Sequence, residues 1–192
     1  MSRSAAVILI ACAMLWALPE RAVAEDEYAP HTPTLLFQLT GPLTTADAEA
    51  LAAALKKLPS VHKAIVDPEK LTAQVRFDSH VVSFHQVAVA ILQTRPACDP
   101  TLRFTVAAYP LADNAGKLDA LFAGKRLNDR VRVEPIDKKT GVFLLHFKPL
   151  TIDPADKKPQ GFNGGHLNHP VHDPPPRGLG LELVYESGNI SP

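Results

Sequence analysis

The chain has 192 residues, with 20 basic and 20 acidic side chains and a formal net charge of zero. No global field therefore favours nucleic acid or an anionic membrane surface. Its two cysteines, Cys12 and Cys98, provide neither a disulfide framework nor a thiolate clip for a metal.

The first residues have the character of an address. Arg3 gives a short basic start, and Ala5 to Leu18 is an apolar run, shorter than the roughly 20 residues a transmembrane helix needs. Ala22-Val23-Ala24 is a small-x-small cleavage site, so residues 1–24 are expected to be a signal peptide. Leu9-Ile10-Ala11-Cys12 has the form of a lipoprotein box, but the stronger apolar run follows Cys12 instead of preceding it. The expectation is soluble export, periplasmic or secreted, without stable membrane insertion. Cleavage leaves 168 residues of formal charge −1, with Cys98 as their one cysteine. Core packing must then stabilise the fold without an internal disulfide.

Residues 25–33 are acidic and Pro-containing, and read as a leader. Leu35 to Leu39 follows as a short apolar strand, broken by Gly41-Pro42. Thr44 is a candidate N-cap with Asp47 three residues on. Ala48, Leu51, Leu55 and Leu58 then recur at helical spacing until Pro59. Val61 to Val66 is a second strand and Asp67-Pro68-Glu69-Lys70 its turn. From Leu71 to Phe77 apolar and polar residues alternate, the pattern of a half-buried strand. Ser83 and Gln86 form a capping-box pattern ahead of a helix striped with Phe84, Val87, Ala88, Ile91 and Leu92. Arg95-Pro96 stops it, and Leu102 to Ala107 is a further strand. The order is βαββαβ, a ferredoxin-like arrangement with two helices over one face of an antiparallel sheet.

On these residues, and most of all on LPSVHKAIVDPEKLTAQVRFDSHVVSFHQVAVAIL, the 34–109 segment resembles a heavy-metal-associated domain, the small fold of copper chaperones. The resemblance implies soft-metal handling through Met-x-Cys-x-x-Cys between the first strand and first helix. Here that loop reads Thr40-Gly41-Pro42-Leu43-Thr44-Thr45. Thiolates select Cu(I) and hydroxyls do not replace them, so the thiolate transfer chemistry carries over to no residue of this chain.

A degenerate second copy starts at Thr101. Thr34, Leu35 and Phe37 recur as Thr101, Leu102 and Phe104; Pro42-Leu43 recurs as Pro110-Leu111, Asp67 as Asp137, and Phe77 as Phe147. Asp113 is a candidate cap for a helix carrying Leu118, Leu121 and Phe122, stopped at Gly124. Val131 to Ile136 and Val142 to Phe147 pair across Asp137-Lys138-Lys139-Thr140-Gly141, and Leu179 to Tyr185 closes the unit. The fold class expected is α+β: two tandem ferredoxin-like units, 34–109 and 101–187, sharing the strand at Leu102 to Ala107. The second unit is expected to have its last helix replaced by a Pro-, Gly- and His-rich loop over 149–178. Structureless loops longer than roughly 12–15 residues are usually functional or disordered, so this span is where an activity is sought.

Within it stands Gly164-Gly165-His166-Leu167-Asn168-His169-Pro170-Val171-His172-Asp173. His166, His169 and His172 with Asp173, and His146 as a further ligand, form a candidate site for Zn(II), Cu(II) or Ni(II). In an extended run, residues three apart lie about 9 Å apart at about 3.1 Å rise per residue. A turn at Gly164-Gly165 or near Pro170 is needed to gather them. The alternative is a solvated loop that binds nothing specific, and for His146 an exposed position on a sheet face. His80 and His85 flank the start of the second helix, where a local surface role or a capping-region role is expected, while His62 adjoins Lys63 and His31 lies in the leader. Cys98 reads as a packed small residue, with a nucleophile or an intermolecular disulfide as alternatives. No nucleophile elbow, His-Glu-x-x-His or phosphate loop occurs. The function expected is an exported, non-catalytic metal-binding or metal-homeostasis protein. The alternative is a metal-independent interaction module of the cell envelope.

Overall fold

Residues of one parity along each hairpin are apolar, and this decides which face of the sheet is buried. Ala73, Val75 and Phe77 on one hairpin, and Phe143, Leu145 and Phe147 on the other, are all at most 4 % exposed. The computed structural model describes residues 32–112, 115–122, 131–148 and 165–187. The expected signal peptide, most of the leader, Asp113, Gly124 and residues 149–164 lie outside that set.

Seven strands and four α-helices make up the described chain. In order they are β1 (Thr34–Gln38), α1 (Thr45–Leu55), β2 (Val61–Asp67), β3 (Thr72–Phe77), α2 (Phe84–Thr94), β4 (Thr101–Ala107), a 3₁₀ turn (Tyr109–Leu111), α3 (Ala115–Phe122), β5 (Val131–Asp137), β6 (Val142–Phe147), α4 (Gly165–His172) and β7 (Glu182–Tyr185). The sheet runs β2-β3-β1-β4-β6-β5, with β7 also paired to β4. Read as β4-β1-β3-β2 and as β7-β4-β6-β5, it contains the same antiparallel order twice. Strand β4 is the last strand of one ferredoxin-like unit and the first of the next.

The register explains how one strand serves both. On one edge of β4, Thr101 and Leu102 pair with Gln38 and Phe37 of β1, while Phe104 to Ala107 pair with Tyr185 to Glu182 of β7. The other edge pairs with β6 from Thr101↔His146 to Thr105↔Val142. Glu186 bridges the junction: its carbonyl accepts from Leu36 N at 3.3 Å and its N–H donates to Arg103 O at 3.1 Å. Packing crosses the same line. Phe84 of α2 lies 5.9 Å from both Phe147 of β6 and Tyr185 of β7, ring centroid to ring centroid. The two units share one apolar core.

Local signals set the helix starts and the hairpin turns. Thr44 Oγ1 accepts from Asp47 N at 3.1 Å while Asp47 Oδ2 accepts from Thr44 N at 3.1 Å. Ser83 and Gln86 make the same reciprocal pair at 3.2 and 2.8 Å. Such caps contribute about 1 kcal/mol each. The two hairpin turns match as well: Asp67 Oδ1 accepts from Glu69 N and Lys70 N, and Asp137 Oδ1 accepts from Lys139 N. Four residues past each Asp the backbone is left-handed, at Leu71 (φ 52°) and at Gly141 (φ 71°). Leu71 is therefore a turn residue, although the alternation of its neighbours extends the predicted strand through it. A leucine there carries the steric cost that glycine avoids.

Two further expectations are corrected. The second unit has its last helix: α4 lies inside the span expected to be a loop, because Leu167 and Val171, four residues apart, are both fully buried. That burial outweighs the backbone hydrogen bond lost at Pro170. His85 is likewise no surface residue. It is fully buried, and its Nε2–H donates to Lys148 O at 3.0 Å. Helix α2 covers both units, so this part of it meets the end of β6.

Strand β7 brings a polar atom into the core. The hydroxyl of Tyr185 is buried without a hydrogen-bond partner among the described residues, and burial pushes its phenol pKa up. An unpaired buried hydroxyl costs about 1–3 kcal/mol. Tyr185→Phe is therefore expected to raise stability in urea by about 1 kcal/mol; a loss of that size would reveal a partner for the hydroxyl.

Candidate functional site

Helix α4 positions the histidine-bearing segment. Its inner residues, Leu167 and Val171, join the core beneath β7. Its end is closed by backbone bonds from Asp173 N to His169 O (3.0 Å), Gly180 N to Asp173 O (2.9 Å) and Leu181 N to Val171 O (2.8 Å). Gly178 sits so close to this end that a Cβ would meet the carbonyl of Asp173 and come within 2.8 Å of His169 O. Only glycine allows the chain to turn back against the helix there.

The helix gathers part of the expected ligand set. His169 and Asp173 fall one turn apart, with Nδ1 to Oδ2 at 3.6 Å; the histidine side chain is 78 % exposed and the carboxylate 33 %. His172 is also exposed, and its Nδ1 lies 3.3 Å from Leu181 O. The carbonyl accepts that nitrogen's proton, which leaves Nε2 for solvent or a ligand. His166 belongs to the first turn of α4, and its side chain lies outside the described residues.

His146 does not join them. Its neighbours Leu145 and Phe147 point into the core that α4 covers, so alternation along β6 carries His146 to the opposite face of the sheet. It is not the freely exposed residue of the sequence reading either, since its side chain is only 17 % exposed. Nε2 lies 2.8 Å from Glu134 Oε2 of β5, and Nδ1 lies 3.8 Å from Asp99 Oδ2, just ahead of β4. The Glu134 carboxyl is held below its ordinary pKa by the bond from His146 first and by Arg132 second. Among the described residues, no three His, Cys, Asp or Glu side chains converge in a metal-binding group.

The loop between β1 and α1, where the family resemblance implies thiolates, is filled by a fixed cation. Arg95 Nη1 donates to Asp47 Oδ1 at 2.8 Å, and Nη2 donates to Pro42 O at 3.1 Å. Gly41, at φ 83°, brings the loop against Ala97, and Asp99 N donates to Thr40 Oγ1 at 2.8 Å. The Thr44 hydrogen bonds, and then the Arg95 charge, hold the Asp47 carboxyl below its ordinary pKa. Cys98 lies buried beside this loop, and desolvation pushes its thiol pKa up. A guanidinium already seated on the loop opposes any second cation there.

Sequence reasoning missed Asp99 and Glu134. Neither is near His146 in the chain, and only the β4–β6–β5 register brings them to it.

No protein-family model and no curated protein matches the chain. Among solved structures it is similar to the N-terminal soluble domains of Bacillus subtilis CopA, at 16 % identity over 81 % of this chain and 94 % of that one, with a TM-score of 0.36. It is also similar to the CopZ metallochaperone, at 22 % identity over 32 % of this chain and 92 % of that one (TM-score 0.31). A copper binding domain from HMA7, a P-type ATPase, matches at 26 % identity over 32 % of this chain and 84 % of that one (TM-score 0.31). At such TM-scores these likenesses carry nothing about what this chain binds.

Proposed function

We propose that the chain is an exported, non-catalytic protein of metal binding or metal homeostasis, which holds Zn(II), Cu(II) or Ni(II) on the outward side of α4. The observation that carries this reading is the His169–Asp173 pair, an imidazole and a carboxylate one turn apart at 3.6 Å on a docked helix. Residues three and four apart share a helix face. His166, one turn before His169, and His172, with Nε2 free of its backbone contact, complete the candidate ligand set. Such N and O donors suit borderline divalent ions and not Cu(I). The buried Cys98, with its thiol pKa raised, is a poor nucleophile, which supports a binding role over catalysis. Export rests on Arg3, the Ala5 to Leu18 run and Ala22-Val23-Ala24.

A second reading has one observation in its favour. Among the described residues no helix covers the sheet face opposite the core, and Ile65, Ile136 and Val184 are 40–49 % exposed. That face suits a metal-independent interaction module.

Calorimetric titration of the chain from residue 25 onward with Zn(II) separates the two. His169→Ala with Asp173→Asn is expected to weaken one class of sites at least tenfold. Heats identical to those of the unaltered chain would contradict the α4 site.

A further inference from the structure

The surroundings of His146 lie on the other face of the sheet from α4 and are not used by the reading above. A carboxylate only accepts, so the 2.8 Å contact with Glu134 Oε2 places the ring proton on Nε2. In the neutral ring Nδ1 is then a bare lone pair, whereas in the imidazolium it carries a second proton on the side of Asp99. It is buried with no hydrogen-bond partner among the described residues. The atom it faces is Asp99 Oδ2 at 3.8 Å, another electron-rich group. The Asp99 carboxylate has no Lys or Arg partner among the described residues, whereas Glu134 already holds Arg132 at 2.9 Å. With the ring neutral, these two electron-rich atoms repel unless a cation sits between them.

We infer that His146 Nδ1 and Asp99 Oδ2 form a second site for a borderline divalent cation such as Zn(II), with Glu134 orienting the imidazole through Nε2–H and water completing the coordination. The separation suits such an ion. Zn–N bonds of about 2.0–2.1 Å and Zn–O bonds of about 2.0–2.2 Å reach at most about 4.3 Å across a metal. The observed 3.8 Å falls inside that limit. A tetrahedral angle requires about 3.4 Å from the same bond lengths. The Asp99 side chain, 54 % exposed, is free to close the difference and leaves water access to the ion. An imidazole that binds metal through one nitrogen and donates its other N–H to a carboxylate is the usual second-shell arrangement, which fixes tautomer and ring orientation.

The place gives the ion a structural consequence. Asp99 lies on the connection from α2 into β4, while His146 and Glu134 lie on β6 and β5. A bound ion links the far edge of the second unit to the start of the shared strand. By mass action it stabilises the folded chain.

The test is Zn(II) calorimetry on four proteins from residue 25 onward: unaltered, Asp99→Asn, His146→Gln, and the His169→Ala/Asp173→Asn pair. Asp99→Asn alters a half-exposed side chain and keeps the backbone bond to Thr40, so it tests the site without depending on refolding around a new core residue. Asp99→Asn and His146→Gln are each expected to weaken one site at least tenfold, and the α4 pair to leave that site intact. If both variants bind as the unaltered chain does, the inference falls. If the α4 pair alone removes all binding, the inference also falls while the proposed function stands. Binding that survives the α4 pair but is lost in Asp99→Asn keeps the inference and removes α4 as a site. A proton is the competing occupant: ¹⁵N spectra showing a His146 ring protonated on both nitrogens under saturating Zn(II) would overturn the inference.

Discussion

Phe104→Ala is expected to cost about 3–5 kcal/mol and to loosen both halves of the sheet together. Phe104 is fully buried in β4, its ring stacked on Phe143 at 5.5 Å and tilted against Tyr185 at 5.9 Å. The cavity opens in the one strand that both units use. β4 is hydrogen-bonded to β1, β6 and β7, so its distortion cannot stay within the second unit. Native-state hydrogen exchange checks this. Amides of β3, which belongs to the first unit alone, are expected to lose as much protection as those of β5, in the second alone. Protection in β3 that stays unchanged would mean that the units unfold independently. A change on the solvent face of the same strand gives the scale for comparison. Arg103 pairs with Glu186 at 2.9 Å with both side chains half exposed, and such a pair contributes about 1 kcal/mol or less.

Leu167→Ala is expected to have the second largest effect, a loss of about 2–5 kcal/mol that falls on α4 in particular. An eight-residue helix with an internal proline has little helicity of its own. Burial of Leu167 and Val171 is what keeps it formed. Without that anchor His169 and Asp173 lose their fixed one-turn spacing, and the Zn(II) affinity of the α4 site should fall although no ligand has been changed. Urea unfolding combined with Zn(II) titration of the variant measures both. A variant destabilised by that amount but with undiminished affinity at α4 would show that the site does not depend on the docked helix.

The repeat was the most legible part of the chain, because its signals are local. Asp67 and Asp137 sit at matching turns, Thr44–Asp47 and Ser83–Gln86 start the two helices of the first unit, and Thr101-Leu102-x-Phe104 repeats Thr34-Leu35-x-Phe37. Because the second copy starts at Thr101, at the strand that closes the first, the repetition itself implies a shared strand. Leu71 was harder, since apolar alternation continues through it; its repeat partner, Gly141, was the clue to a left-handed turn position. The Pro-, Gly- and His-rich composition of 149–178 argues for a loop through 165–172. The opposing signal, Leu167 and Val171 at a spacing of four, is two residues long and gains its weight only from a core that the rest of the chain supplies. His85 and His146 depend on partners distant in sequence: Lys148 lies 63 residues from the first, and Asp99 reaches the second only through strand register. Buried polar contacts of that kind leave no periodicity to read.

Ring nitrogen and carbon signals of the histidines, followed by NMR while Zn(II) is added to the chain from residue 25 onward, test the metal reading most directly. Binding on α4 requires the His169 ring to shift and saturate, with His62 and His80 unmoved. Equal, unsaturated drift of all the rings, or no shift at His169, would contradict it.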